Sequence, residues 1–198
     1  MKVWLAGFAL LLSGSLQAAS VSNTFGLSSP ASTLTFDEII FSPGTAINSQ
    51  YSAYGITFSP DTFYDSLKPS TCCNGIDGHY VGNYSPLHNP FSILFTTPQT
   101  AAAFALATNE GTSTFTARLA GLDVESFSSP TNLDFSTPYY FGFTGIVFDE
   151  INISAGSDGA ALIDNIQQGT SVVPEPGTYV LLGSALAALL GSKLRRRV

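Results

Sequence analysis

The sequence predicts an all-β protein, an antiparallel sandwich or barrel, for its central body. Short runs of alternating polar and apolar residues recur between glycines and prolines about every 8–12 residues, and no stretch shows a helical period. Of the 198 residues, 44% are hydrophobic, 12% are aromatic and only 11% are charged, against roughly 25% charged in an average protein. This composition excludes a disordered chain and a basic nucleic-acid-binding protein.

The strand signals follow one another through the body and are bounded by turn-forming residues. In the run at 113–119, Phe115, Ala117 and Leu119 share one face. The alanine-rich run at 101–107 has helical propensity, but its strand-like neighbours favour a strand. The predicted strands are 33–36, 55–58, 91–96, 102–108, 113–119, 122–127, 139–143, 145–153 and 160–166.

Charge divides the chain into three parts: residues 1–20, the body at 21–172 and residues 173–198. The body holds 13 acidic residues but only two basic ones, Lys68 and Arg118, and so carries a net charge of −11. A body this acidic suits cations and disfavours anionic polymers.

Residues 1–20 are typical of a secretory signal peptide. Lys2 precedes an apolar run at 3–12, and small residues follow. A signal peptidase could cut after Ala18, Ala19 or Ser20. The alternative is a buried N-terminal helix, although the run is not amphipathic. The segment predicts export through the inner membrane.

Residues 173–198 combine a proline motif, an apolar segment and a basic end. Pro174 and Pro176 flank Glu175 and hold the motif extended. The uncharged segment at 177–192 would form a helix of about 24 Å, slightly short of the roughly 30 Å hydrocarbon core. This segment predicts a transmembrane helix. Its C-terminal end should stay cytoplasmic, because it is followed by Arg195, Arg196 and Arg197.

In this order the three parts resemble the PEP-CTERM sorting signal. The resemblance implies recognition by exosortase, a membrane-embedded cysteine transpeptidase, and cleavage near the Pro-Glu-Pro motif. Proteins with this signal occur in Gram-negative bacteria that make exopolysaccharide, and they are often found in biofilm or floc matrix. The alternative is an ordinary C-terminal membrane anchor.

The strand pattern of residues 33–167 resembles the jelly-roll bodies common among exported PEP-CTERM proteins. The similar pieces are 34–38, 43–45, 51–58, 141–145, 148–151 and 162–166. The resemblance implies a carbohydrate-binding-type sandwich in which the first and last strands pair. It implies a fold and no particular ligand.

If the terminal strands pair, the carboxylates of Asp37 and Glu38 approach that of Asp164. Clustered carboxylates repel unless protons or a cation lie between them. Sandwiches of this type often hold a structural Ca²⁺, which takes oxygen ligands. We therefore expect one Ca²⁺ with Asp37 or Glu38, and Asp164, as ligands. The alternative is a set of solvated and turn-forming acids.

Cys72 and Cys73 are adjacent, in an exported chain where oxidising conditions favour disulfides. A bond between neighbours lies outside the usual Cα–Cα range, but it would stiffen a loop tip. The alternatives are an intermolecular disulfide or two free thiols. We favour the vicinal disulfide.

The segment from 68 to 90 is the longest stretch without strand signals, and loops of this length are often functional. It contains His79, Tyr80, Asn83 and Tyr84, a mixture of aromatic and polar side chains suited to a sugar. The alternative is that these residues only pack the loop. The single Trp, Trp4, lies in the signal segment.

The sequence of the body gives little support for a catalytic site. His79 and His88 have no nucleophile motif nearby, and Asp149 and Glu150 are neighbours on a strand, so they point to opposite faces. We expect a non-enzymatic surface or matrix protein with a structural or adhesive role in exopolysaccharide. The second hypothesis is a carbohydrate-binding module that uses the 68–90 loop, and the third is a secreted polysaccharide hydrolase.

Overall fold

A computed structural model describes residues 19–66, 73, 75–83, 90–133, 137–156 and 160–169. These residues form eleven β-strands and one short 3-10 helix at Ser52–Tyr54. None of their helices is long and apolar enough to cross a membrane. The strands are β1 Ala19–Asn23, β2 Ser32–Leu34, β3 Thr45–Ile47, β4 Ile56–Phe58, β5 Thr62–Asp65, β6 Tyr80–Asn83, β7 Phe91–Thr108, β8 Gly111–Leu119, β9 Leu122–Thr131, β10 Tyr140–Ser154 and β11 Ala161–Gly169.

The antiparallel all-β prediction is confirmed, because every strand pair among these residues is antiparallel. The alanine-rich run lies in β7 and is buried between β10 and β11, so it is a strand as predicted. The runs at 1–18 and 170–198, which include the predicted transmembrane helix and most of the predicted signal peptide, lie outside the described residues.

Several predicted boundaries were wrong. The runs at 91–96 and 102–108 form the single strand β7, and those at 139–143 and 145–153 form the single strand β10. Pro98 does not end β7, because it lies where the β7–β10 register shifts, a place where a strand tolerates proline. The break between Thr144 and Phe148 is likewise a register shift within one strand.

Four strands have no counterpart among the predicted ones: β1, β3, β5 and β6. Each has only three to five residues, too few for a convincing alternation. The strand β6 corrects the reading of 68–90 as wholly non-strand. All four of its residues are buried, so it lacks the polar face that makes a strand recognisable.

The long strands β7 and β10 form a central pair that runs through two halves of the sheet. In one half, Tyr140–Thr144 of β10 lie between β1 and β7, and β11 lies beyond β7. In the other, the later part of β10 lies between β7 and β8, with β4 and β9 outside them. Long strands that pass between layers through bulges are typical of sandwiches. The arrangement fits an all-β sandwich, and the jelly-roll connectivity stays a prediction.

The two halves pack through aromatic rings. Phe115 of β8 stacks on Phe141 of β10 with ring centroids 4.7 Å apart, and it also contacts Phe127 and Phe104 at 5.0 and 5.9 Å. Close packing also needs a glycine at Gly142, where an added Cβ would lie 2.0 Å from the carbonyl oxygen of Ala102. The aromatic residues of the sequence therefore largely fill one core.

Both chain ends of the described body lie in one row of paired residues across the sheet. Gly169 is opposite Ala101, Ala101 is opposite Thr144, and Thr144 is opposite Ala19. This row crosses β11, β7, β10 and β1. At the other end of the same strands lie Tyr140 and Thr108.

Candidate functional site

The pairing of β2 with β11 brings the predicted acidic residues together. Leu34 lies opposite Ile166, and Thr33 lies opposite Gln167. The segment after β2, which carries Asp37, therefore runs beside the bulge of β11 that carries Asp164. The implied pairing of the predicted strand at 33–36 with the last strand is confirmed.

Asp37 and Asp164 line one cavity of about 360 Å³ together with a third carboxylate, Asp77. Sequence analysis did not single out Asp77. The Asp77-Gly78 pair was the available signal, because an Asp-Gly dipeptide marks a turn and Gly78 has φ +62°. The cavity is lined by Thr35, Asp37, Asp77, Gly78, Pro138, Asp164 and Asn165.

Asp164 is the buried member of the three, with 1% of its surface exposed. It lies next to the register shift in β11, where Asn165 adopts φ +50°. Its Oδ1 accepts a hydrogen bond from the Asn165 N–H at 2.6 Å. Its Oδ2 accepts bonds from the Asp77 N–H at 3.2 Å and the Asn165 side-chain amide at 3.0 Å.

Burial raises the pKa of Asp164 to about 7, and the nearby carboxylates of Asp37 and Asp77 also raise this pKa. The backbone hydrogen bonds from Asp77 and Asn165 act in the opposite direction. Asp164 therefore binds a proton near neutral pH, because removing it would leave a buried negative charge facing two others.

Asp37 is more exposed, and its Oδ1 is hydrogen-bonded to Nδ1 of His79. The imidazole of His79 stacks on the ring of Tyr64 with centroids 5.4 Å apart. Glu38 is not among the lining residues, and its Oε1 accepts hydrogen bonds from the N–H and hydroxyl of Thr35 at 3.0 and 3.1 Å. The segment after β2 thus contributes one of its two acids to the cavity.

The carboxylates expected to bind Ca²⁺ have hydrogen-bond partners within the protein. Glu38 is engaged with Thr35, and the Asp164 carboxylate oxygens accept three hydrogen bonds. Within the described parts of the chain, no three or more His, Cys, Asp or Glu side chains form a group that could hold a metal ion. The calcium site stays a prediction, and the raised pKa of Asp164 favours its protonated form in this arrangement.

The predicted ligand loop divides into different environments. Tyr80 and Asn83 belong to β6 and are 1% and 2% exposed. Asn83 Oδ1 accepts a hydrogen bond from the Ala161 N–H at 2.7 Å, which ties β6 to β11. His79 pairs with Asp37, and Tyr84 lies outside the described residues. Because Tyr80 and Asn83 are buried, their side chains contribute to packing and do not present a surface to a ligand.

Cys73 is buried and disulfide-bonded, with φ +68°. Its N–H donates to the Leu133 carbonyl at 3.0 Å, and its carbonyl accepts from the Ile76 N–H at 2.9 Å. The sequence contains one other cysteine, Cys72, which lies outside the described residues. The vicinal pairing stays a prediction.

Asp149 and Glu150 have different partners, as their adjacent positions on one strand predict. Asp149 accepts hydrogen bonds from the Ala120 N–H at 3.0 and 3.2 Å and supports the β8–β9 turn. Glu150 accepts from Arg118 at 3.2 Å. The two carboxylates therefore do not form a pair.

Comparison with known proteins bears on the C-terminal segment. No curated protein matches the chain. The family model of the PEP-CTERM protein-sorting motif matches residues 172–197, which include Pro174, Glu175, Pro176 and the three arginines at 195–197. These six residues lie outside the described structure. The chain therefore carries a PEP-CTERM protein-sorting motif, the signature of an exported protein that exosortase processes at the membrane.

Proposed function

We propose that this protein is a component of the cell surface or extracellular matrix, with a structural or adhesive role in exopolysaccharide. The observation that carries the proposal is the sorting motif at 172–197, which follows an all-β body. In this proposal the apolar segment at 177–192 anchors the protein in the inner membrane until exosortase cleaves near Pro174–Pro176. The body then reaches the surface or the matrix.

The outer surface of the β8–β9 hairpin supports contact with a hydrated polymer. Thr114 and Ser128 are hydrogen-bonded across the two strands at 2.8 Å, and Thr116 and Ser126 at 3.2 Å. Such cross-strand hydroxyl pairs stabilise the sheet. Hydroxyl groups can both donate and accept hydrogen bonds, so this face can exchange partners with sugar hydroxyls or water.

The charge of the body indicates which polymers it would meet. With 13 acids and two bases in residues 21–172, the body would be repelled by a strongly anionic polysaccharide. A neutral or cationic polymer is the better partner. The role requires binding and cohesion, and no catalytic step.

The proposal is tested in the native host by deleting the gene and measuring matrix cohesion. Complementation uses the full chain and, as a matched variant, the chain without residues 173–198. We expect the full chain to be recovered with the extracted matrix and to restore cohesion. The shortened chain should be absent from the extracted matrix and should not restore cohesion. A full chain that stays in the periplasm, or a deletion that leaves cohesion unchanged, would contradict the proposal.

The alternative of a sugar site in the 68–90 loop has weaker support. Two of its four candidate residues, Tyr80 and Asn83, are buried in β6. Exposed hydroxyl side chains that could bind a sugar occur instead on the β8–β9 hairpin.

A further inference from the structure

A polar cleft of about 570 Å³ lies between the start of the β8–β9 hairpin and the residue before β10. This volume is within the roughly 300–1,000 Å³ range of small-molecule sites. The cleft could not be predicted from the sequence, because its residues come from three separate segments. The cleft is lined by Glu110, Gly111, Thr112, Ser129, Pro130, Thr131, Asn132 and Tyr139.

Tyr139 is the aromatic residue of this lining, and the fold holds it from several directions. Its ring contacts Phe141 with centroids 5.3 Å apart. Its hydroxyl donates to the Ser22 carbonyl at 3.3 Å, and its own carbonyl accepts from the Leu106 N–H at 3.2 Å. A half-buried ring fixed in this way loses little conformational freedom on binding.

The rest of the lining supplies hydrogen-bonding groups beside the apolar ring of Pro130. Glu110 and Thr112 are exposed, while Ser129 and Asn132 are half-buried. Together they present a carboxylate, an amide and two hydroxyls beside one aromatic ring. Sugars offer ring C–H groups to an aromatic side chain and hydroxyls to polar ones, so this combination matches a saccharide.

The charge of the cleft narrows the ligand class. Among the lining residues that the structure describes there is no lysine or arginine, and Glu110 adds a negative charge. An anionic sugar would therefore approach the Glu110 carboxylate in an acidic body, and the like charges would repel each other. A neutral saccharide avoids this repulsion and can still donate hydroxyl protons to Glu110.

We propose that this cleft binds a segment of neutral polysaccharide, with Tyr139 as the aromatic contact and Glu110, Thr112 and Asn132 as hydrogen-bonding partners. The inference rests on the proposed role in exopolysaccharide and gives that role a contact site. The cleft lies near Tyr140, at the end of the β1, β7 and β10 strands away from Ala19 and Ala101. Gly169, the last described residue before the sorting motif, lies opposite Ala101.

The test measures binding of the purified body, secreted without residues 173–198, to a panel of neutral oligosaccharides and to neutral polysaccharide extracted from the host matrix. The variants are Tyr139→Ala, Tyr139→Phe and Glu110→Gln. The matched control is Tyr54→Ala, which removes an exposed tyrosine outside the cleft. Far-UV circular dichroism and thermal melting check the fold of each.

We expect saturable binding by the unchanged body and by Tyr54→Ala. Tyr139→Ala should weaken it about tenfold or more, as is usual when an aromatic anchor is truncated. Glu110→Gln should weaken it several-fold, and Tyr139→Phe should retain most of it. If Tyr139→Ala fails to fold, Glu110→Gln still decides the outcome.

Binding that is unchanged in folded Tyr139→Ala and Glu110→Gln would overturn the cleft as the site. So would the absence of binding to every neutral glycan tested. If the full chain nevertheless stays with the matrix in the native host, only the cleft assignment fails. If the full chain is absent from the matrix, the proposed function itself fails.

Discussion

Leu34 of β2 lies directly opposite Ile166 of β11 in an antiparallel pair. This pairing places Asp37 and the buried carboxyl of Asp164 around one cavity, which Asp77 completes. Burial and the two neighbouring carboxylates disfavour the ionised form of Asp164. The stability of the body should therefore depend on the protonation of Asp164.

Replacing Asp164 with Asn should remove a pH-dependent part of the folding stability. The folded-state pKa of about 7 exceeds the ordinary value of 3.8, so the folded state binds the proton more tightly. The stabilisation is fully present below about pH 4 and is lost as the pH rises through about 7. Between pH 4 and 8, Asp164→Asn should gain up to about 4 kcal/mol relative to the unchanged protein. Urea unfolding at several pH values measures this.

Asp61→Asn is the matched control, because Asp61 is exposed and has φ +69°, which asparagine tolerates. Its stability difference from the unchanged protein should stay nearly constant over the same pH range. If the stability difference of Asp164→Asn is as independent of pH as that of Asp61→Asn, the raised pKa of Asp164 is contradicted. A rise in the melting temperature with millimolar calcium at pH 8, reversed by a chelator, would favour the calcium hypothesis.

Only part of this site could be predicted from the sequence. Asp37 and Asp164 were found because each adjoins a recognisable strand. Asp77 belongs to a segment without strand signals, and its proximity to Asp164 depends on the pairing of β6 with β11. Of the two alternatives Asp37 and Glu38, the cavity lining contains Asp37, while Glu38 accepts a hydrogen bond from the Thr35 N–H.

Phe115→Ala should destabilise the body by about 3–5 kcal/mol, because truncating a buried phenylalanine removes apolar contacts and leaves a cavity. Phe115 is fully buried and contacts three other rings. Leu122→Ala, at a side chain that is 73% exposed, should change the stability by less than about 0.5 kcal/mol. Equal effects of the two substitutions in urea unfolding would show that the aromatic cluster is not the core.

The disulfide at Cys73 should close within one chain. We expect the exported body to run as a monomer on non-reducing gels and to take up two alkylating groups only after reduction and unfolding. Intact-mass measurement before and after reduction checks this. A covalent dimer that reduction dissolves would instead assign Cys73 to an intermolecular bond.

The mature N-terminus should be Ala19. A cut after Ala18 preserves all of β1, whose Ala19 and Ser20 pair with Thr144 and Phe143. A cut after Ser20 would remove two of the five residues of that strand. Peptide mapping of the exported protein identifies the first residue, and a start at Val21 would contradict this prediction.

The fold was predictable where strands are long and half-buried, as in β8, whose alternation matches its burial. It was not predictable where strands are very short, as in β3, or buried throughout, as in β6. The continuity of β7 past Pro98 was also hidden. It depends on a shift of register against β10, and no local sequence signal reports that shift.

The most direct test of the account is the C-terminal mass of the exported protein in the native host with and without its exosortase gene. With exosortase, the surface or matrix form should lack Arg195–Arg197 and end near Pro174–Pro176. Without exosortase, the protein should stay in the membrane fraction with those arginines attached. A surface form that retains the arginines, or the same C-terminus in both strains, would contradict sorting by exosortase.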